Sequence, residues 1–397
     1  MKITDLTITP VNVPLEAPIR WPWGVRVETS RIIVQLHTDE GIVGLGETLG
    51  GESIPVILKG MKGKLMGENP FDLERILSLF QMVPYFSGYS GRGAICAVEM
   101  ACWDIMGKAV DKPLHQLIGG LYRKRVEFAA YVFARYEKNG VGGEDTPEKL
   151  VEYCRQARRK HGFTVIKYKG GVFPPEFDVE TLRLMREQLG PEARLRIDPN
   201  ALWTFETGLR TCRKLIPLDM EFIEDPVWGI ETMARLRRDV PVPFSTNMCV
   251  VCFDDIPLGV RAGAVDVILG DPHKWGGILA TKKLAAVCET FSLGMSMHSG
   301  AELGISTAAN VHLGASTPQF YFALDTHYDQ TEDDVIKGGK LRFVQGHIAV
   351  PEGPGLGVEL DEDKLARYSE RYAKAGTSEH AAGDPGRPDW VPRRPMW

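Results

Sequence analysis

The 397-residue sequence predicts an α/β fold: a parallel barrel joined to a second, α+β domain. Three observations carry this. From about residue 126, eight short apolar runs alternate with amphipathic stretches. The segment before it reads instead as strands followed by helices. Seven consecutive barrel strands then end on polar, chemically capable residues, as a barrel mouth requires.

The N-terminal "MKITDLTITPVNVP" alternates like a strand, and "SRIIVQLHTDEGIVGLGE" is two β runs around an Asp-Glu-Gly turn, a hairpin. "PFDLERILSLFQMV" and "GAICAVEMACWDIMGKAV" have helical apolar spacing, and "KPLHQLIGG" closes the first domain, residues 1–125. The barrel, 126–345, follows with "VEFAAYVF", "TVIKYKGG", "RLRIDPN", "EFIEDP", "VPFSTN", "VDVILGD", "LGMSMHS" and "YFALD". Helical stretches such as "DVETLRLMREQLG", "FETGLRTCRKLI" and "GILATKKLAAVCETF" separate them. A doubly wound open sheet accounts for five or six such strands; eight favour closure. The last segment, 346–397, starts as strand and Gly-Pro turn and is expected to return to the first domain.

Composition narrows the function. Hydrophobic residues are 44% and charged residues 25%, ordinary for a globular chain with sizeable cores. A net charge of −5 disfavours nucleic acid and anionic membranes as partners, and no apolar stretch is long enough to span a bilayer. Seven scattered cysteines suggest reduced thiols and a cytoplasmic setting.

The stretch "VIKYKGG" places Lys167 and Lys169 on one face of a strand, an arrangement that burial penalises. The strands after it end on Asp198, Glu224, Asn247, Asp271, His298 and Asp325, spaced 23 to 29 residues apart. A polar residue at one strand end is commonplace; seven in succession point to a site. Asp198, Glu224 and Asn247 are hard oxygen donors on neighbouring strands and suit Mg²⁺. Asp271 beside His298 can hold a histidine tautomer. A divalent metal flanked by two candidate bases suits removal of a proton α to a carboxylate.

In this order, "KYKGG", "DPN", "EDP", "TN", "GDPHKWGG" and "MHSG" resemble the barrel of the enolase superfamily. Asn as third ligand, with "GLGETLGGE", "DTH" and "PGLGVEL", is similar to its glucarate dehydratase group. The resemblance implies an α+β capping domain on a modified (β/α)₇β barrel, and Mg²⁺ on Asp198, Glu224 and Asn247. It implies Lys169 as one base, with Lys167 lowering its pKa and contacting the substrate carboxylate. His298, paired with Asp271, would be the opposite base or the acid. Tyr131, Asn200, Ser299 and His327 match substrate-contacting positions, and Asp325 a nearby one. Glucarate dehydratases carry a histidine on a mobile N-terminal loop. Here "APIRWPWGVRVETS" has Arg20, Trp21, Trp23 and Arg26 instead, and the tail "AGTSEHAAGDPG" offers only His380. A related polyhydroxy acid, met at its far end by Arg20 or Arg26, is therefore expected. The partner expected is an acid sugar, mono- or dicarboxylate, and the chain is expected to be a homo-oligomer.

Other signals read more simply. Cys249-Val-Val-Cys252 lacks the partner pair of a zinc or redox site. "GIVGLGETLGG" lacks the Lys-Ser/Thr of a phosphate loop and reads as hairpin. His273 reads as a polar loop residue, and His37, His115, His161, His312 and His347 as ordinary surface or helix positions. Glu221 and Asp225 alternate away from Glu224. The favoured activity is acid-sugar dehydration to a 2-keto-3-deoxy acid. A racemase or epimerase would use the same two bases, and a catalytically silent scaffold would have no need of the full polar set.

Overall fold

The computed structural model describes residues 1–378 and 383–397. Strands β1 (Ile3–Trp21), β2 (Gly24–Thr38) and β3 (Val43–Leu49) form an antiparallel meander. The hairpin expected between β2 and β3 is present, with Arg31 opposite Leu49 and His37 opposite Val43. The N-terminal "mobile loop" is not a loop. Ile19–Trp21 pair with Gly24–Arg26, so this segment is the paired tip of the β1–β2 hairpin.

The helix Val83–Ala109 lies across β3, and its approach explains "GIVGLGE". A Cβ at Gly44 would collide with Ala101 O, and one at Gly46 with Ala97 O, so these glycines admit a helix backbone rather than a phosphate. Helices Ser53–Leu65 and Leu73–Leu79 complete the cap over an apolar core including Ile32, Val34, Leu58 and Ile105.

The barrel holds all eight expected strands, every pair parallel. They are β4 (Arg125–Val132), β6 (Val165–Lys169), β7 (Arg194–Asp198), β8 (Phe222–Glu224), β9 (Phe244–Thr246), β10 (Val267–Leu269), β11 (Gly294–Ser296) and β12 (Leu324–Thr326). The order β11-β10-β9-β8-β7-β6-β4-β12 closes where Met295 bridges Phe320 and Asp325 N donates to Met297 O (3.0 Å). β12 is followed directly by the 3₁₀ turn Tyr328–Gln330 where an eighth barrel helix would stand, as in a (β/α)₇β barrel. The short β5 (Ala134–Arg135) leaves β4 to pair with β1, joining barrel to cap.

The C-terminal segment is more divided than expected. Strand β13 (His347–Ala349) pairs antiparallel with β4, on the barrel. Helix Glu362–Ala375 returns to the cap, where the Arg371 guanidinium pairs with Glu28. The last residues go back to the barrel: Met396 N donates to Leu202 O (2.7 Å) and Trp397 Nε1 to Gly171 O (3.2 Å). His380 lies outside the described residues.

Strand alternation sorts β6 cleanly. Ile166 and Tyr168 pack outward into the apolar layer under the helices, while Val165, Lys167 and Lys169 face the barrel axis. The interior is apolar at its base, where Ala129, Val165 and Ala323 meet, and charged above it. All seven cysteines are free thiols, and no helix of the described residues is long and apolar enough to cross a membrane. His115 and His312 lie on helices, one of the two placements expected of them; both are buried and their rings stack at 5.4 Å.

Candidate active site

The barrel mouth opens into a cavity of about 590 Å³ beneath the cap. Lys169, Asp198, Asn200, Asn247 and His298 line its barrel side; Trp21, Arg26 and Tyr89 line its cap side. Both domains therefore enclose it, the position expected of a site at strand C-terminal ends.

Lys169 donates to Asp198 Oδ2 (2.6 Å) and to Tyr131 Oη (3.1 Å), and also contacts Asn200 Oδ1. Tyr131 donates to the same Asp198 oxygen (2.6 Å). Burial lowers Lys169 below the usual lysine value; Asp198 opposes this and the Lys167 charge reinforces it. Burial would raise Asp198, but the two ammonium groups hold it well below the carboxylate range.

Lys167 has its expected influence on Lys169 but does not stand at the cavity. It is 0% exposed. Its Nζ lies 2.6 Å from Asp325 Oδ2, 2.5 Å from Glu224 Oε2 and 3.9 Å from Asp198 Oδ2. Burial would lower it, but Asp325 and Glu224 outweigh burial and keep the charge above the ordinary lysine value. This ammonium is therefore engaged by Asp325 and Glu224, with Asp198 farther off. Asp325 is likewise not a cavity residue: Lys167 and Arg196 (Nη1, 3.1 Å) occupy its two oxygens.

Asp198, Glu224 and Asn247 converge from β7, β8 and the residue after β9. Asn247 Nδ2 donates to Glu224 Oε1, and Lys274 Nζ donates to Asn247 Oδ1 (2.8 Å). Burial pushes Glu224 up to about 8, and its buried Oε2 accepts no hydrogen bond of normal geometry. A buried carboxylate whose Oε2 meets the Lys167 ammonium without a hydrogen bond, a second carboxylate, and an Asn that can turn its amide oxygen inward make a donor set that fits a hard divalent cation. Asp225, just past the end of β8 at a positive φ of 36°, shapes the set. It accepts from Thr246 Oγ1 (2.6 Å) and Asn247 N (2.8 Å), fixing the turn that carries Asn247.

Across the cavity, His298 Nδ1 donates to Asp271 Oδ2 (2.9 Å). Burial, reinforced by Lys274, lowers His298 to about 4, so its imidazole is neutral near pH 7 and Nε2 carries a lone pair. Ser299 Oγ donates to Glu302 Oε2 (2.6 Å), which leaves it to accept from His327 Nδ1 (2.8 Å). His327 stacks against Tyr131 (4.6 Å) and Phe133 (5.0 Å) on the cavity wall.

Of the two arginines expected at the far end, only Arg26 lines the cavity, stacked 5.0 Å from the Trp21 ring. Arg20 is a strut: its guanidinium pairs with Asp384 (3.2 Å) and stacks on Tyr136 and Phe173. Sequence reasoning missed Lys274, three residues past Asp271 and one turn on, and misread His273. That ring is fully buried and bonds Asp271 Oδ1 (2.9 Å). Asp271, His273 and Glu302 bring three ligand-type atoms within 4.8 Å, but each already holds hydrogen bonds.

Comparison with known proteins agrees with this geometry. Residues 149–364 match the family described as "Enolase C-terminal domain-like", and residues 3–119 match "Mandelate racemase / muconate lactonizing enzyme, N-terminal domain". The chain is 36% identical to the probable glucarate dehydratase of Streptomyces coelicolor, covering 100% of this chain and 99% of that protein. It is 28% identical to the N-succinyl-L-Arg/Lys racemase of Bacillus cereus, covering 92% and 97%. An enolase of Thermobispora bispora, complexed with magnesium and formate, superposes with a TM-score of 0.94 at 37% identity, covering 100% of both chains. One from Mycobacterium smegmatis, complexed with tartrate, gives 0.93 at 37% identity, covering 100% and 98%. With both domains matched end to end and strand-end carboxylates gathered beneath a cap, the chain is an enzyme of the enolase superfamily and belongs to its glucarate dehydratase-like group.

Proposed function

We propose that the enzyme is a Mg²⁺-dependent acid-sugar dehydratase. The observation that carries this reading is the placement of Lys169 and His298 at the two flanks of the oxygen set Asp198, Glu224 and Asn247, with Lys169, Asp198, Asn247 and His298 lining one cavity and Glu224 buried next to it. Asp198, Glu224 and Asn247 would hold the metal. Bound there, Mg²⁺ would supply positive charge against the negative charge that develops on a substrate carboxylate as its α-proton leaves.

The chain's own residues carry the protons. His298 enters neutral, with Nδ1–H committed to Asp271 and Nε2 free to accept the α-proton. Lys169, as the ammonium paired with Asp198, can give a proton to the departing β-hydroxyl, which leaves as water. The Cα–H and Cβ–O bonds break, a Cα=Cβ enol forms, and tautomerisation gives the 2-keto-3-deoxy acid. For a substrate of opposite α configuration the two roles exchange. Tyr131 and Asn200 orient Lys169, while Ser299 and His327 present polar atoms to substrate hydroxyls.

A racemase or epimerase is the second reading, favoured by the two opposed bases and by the racemase relative. Incubating mono- and diacid sugars with Mg²⁺ in ²H₂O separates them. Dehydration yields keto product; inversion with deuterium uptake and no keto product would sink the dehydratase reading. The absence of nucleic-acid or membrane partners, a homo-oligomeric state and a cytoplasmic setting accompany this proposal.

Arg26 lines the cavity from the cap side and would meet the end of the substrate away from the metal ligands. A charge-assisted contact to a distal carboxylate or hydroxyl is worth about 1.5–3 kcal/mol, so Arg26→Ala should lower kcat/KM by roughly 10- to 100-fold. Arg20→Ala should leave KM unchanged and lower stability. Equal KM effects in the two variants would refute the assignment.

A further inference from the structure

The mechanism uses Asp271 and His298, but a buried chain of side chains runs on behind them into the capping domain. Asp271 Oδ1 accepts from His273 Nδ1 (2.9 Å) and from the His273 backbone N (2.8 Å). His273 Nε2 lies 3.1 Å from Arg31 Nη2, on β2 of the cap. Arg31 Nε donates to Glu47 Oε1 (2.7 Å), on β3. Arg31, Glu47, His273 and Asp271 are each 0% exposed.

Donor counting fixes the protons. The Asp271 carboxylate only accepts, so His273 Nδ1 carries a proton; Nε2 lies 3.1 Å from Arg31 Nη2, 3.1 Å from Ser306 Oγ and 3.2 Å from Glu47 O, and in the neutral ring it accepts from the Arg31 guanidinium, which only donates. With Asp271 Oδ1 taking two donors, its Oδ2 is left for His298 Nδ1–H, and His298 Nε2 is turned to the cavity. The cap also holds the loop that carries His298. Arg31 Nη1 donates to Gly300 O (3.3 Å), and Thr29 Oγ1 to Ala301 O (2.9 Å). Glu47 accepts from Leu303 N and Ser306 N (2.8 Å each), capping the helix Gly304–Ser316 at the end of that loop. Other charged or titratable groups facing the chain are Glu302, tied to Ser299 Oγ and Gly300 N, Lys274 beside Asn247, Lys167 on the barrel floor, His327 near His298 and Asp334 near Glu47.

We propose that Arg31 and Glu47 of the cap, through His273, are positioning residues that fix the tautomer and aim of His298. The base is thus assembled jointly by both domains, and the cap helps prepare the reaction as well as enclosing the substrate. This rests on the reading of His298 as a proton-transfer group. Its test does not require turnover.

The experiment is ring ¹H–¹⁵N correlation on the whole chain labelled at histidine, which reports tautomer and titration for each imidazole. In the wild type, His273 and His298 should both carry their proton on Nδ1. His273→Leu removes one donor from Asp271, leaving its carboxylate to pull harder on His298, whose titration should move up by about one pH unit. His273→Asn keeps a donor at the Nδ1 position and should restore the wild-type midpoint. Under turnover, His273→Leu should lower kcat about 10-fold with KM little changed, and His273→Asn should recover it. A His273 protonated on Nε2 in the wild type overturns the proposal, as does an unmoved His298 midpoint in His273→Leu. If the leucine variant does not fold, the wild-type tautomers still decide. Correct tautomers without any acid-sugar turnover would count against the dehydratase reading and not against this one.

Discussion

Lys169→Ala and His298→Ala should each lower kcat by at least about 10²-fold while the chain stays folded, since a positioned acid or base contributes about 10²–10⁴. Lys169 is the only barrel lysine held at the cavity wall by Asp198 and Tyr131, and His298 the only cavity histidine backed by a carboxylate within hydrogen-bond reach among the described residues. Both losses are expected in kcat, because neither group is needed to bind the ground state. Near-wild-type kcat in both variants would reject the assignment. Exchange of the α-proton with ²H₂O refines the test. A substrate whose proton faces His298 should lose exchange in His298→Ala and retain some of it in Lys169→Ala.

The pH profile carries a sign. Burial lowers His298 from 6.5 to about 4, so the neutral base persists well below the usual histidine range. For a substrate deprotonated by His298, kcat/KM should stay level from neutral pH down towards 4 and break there instead of near 6.5. The stability linkage runs the same way: a depressed folded value contributes stability above 6.5 that is lost as pH falls through about 4.

Much of this site was legible because strand period and barrel topology are strong constraints. Once eight strands were recognised, every strand end was directed to one mouth, and Lys169, Asp198, Asn247 and His298 do line one cavity. What failed was depth along a strand. Lys167 and Lys169 share a face, but one pleat repeat of roughly 6–7 Å separates them, enough to put one at the mouth and the other under it. Alternation gives the face and not the depth, so the sequence does not show that Lys167 and Asp325 bond each other below the cavity. His273 failed for another reason. Its partners Arg31 and Glu47 lie 242 and 226 positions away, and their pairing depends on how the cap docks, which no local pattern encodes. Arg20 and Arg26 were indistinguishable in sequence. Their opposite fates follow from hairpin register, and Arg20 meets an aspartate 364 positions away.

Lys167→Met should destabilise the metal-free enzyme by about 3–5 kcal/mol, the cost of leaving buried carboxylates without their cation. Three carboxylates depend on this ammonium, and two of them, Glu224 and Asp325, lie within 2.6 Å. Glu224 can relieve part of the loss by protonating, since burial already raises it to about 8. Asp325 stays committed to Arg196. The Lys167→Met, Asp325→Leu double variant should therefore lose less than the sum of the two single changes, with a coupling of about 1–3 kcal/mol. Urea unfolding at unchanged m gives all four corners of the cycle, and strictly additive losses would show that Lys167 and Asp325 are independent. The same substitution has a chemical consequence. The Lys167 charge is one of the influences lowering Lys169, so its removal should raise the Lys169 value and cut the neutral amine available at pH 7. A substrate deprotonated by Lys169 should then need higher pH in Lys167→Met, whereas the acidic limb of one deprotonated by His298 should move up less, since the Lys167 charge is the smallest of the influences on that histidine. The two lysines of "VIKYKGG" thus divide the work by depth: the buried one holds the anionic floor together, and its charge prepares the one above it.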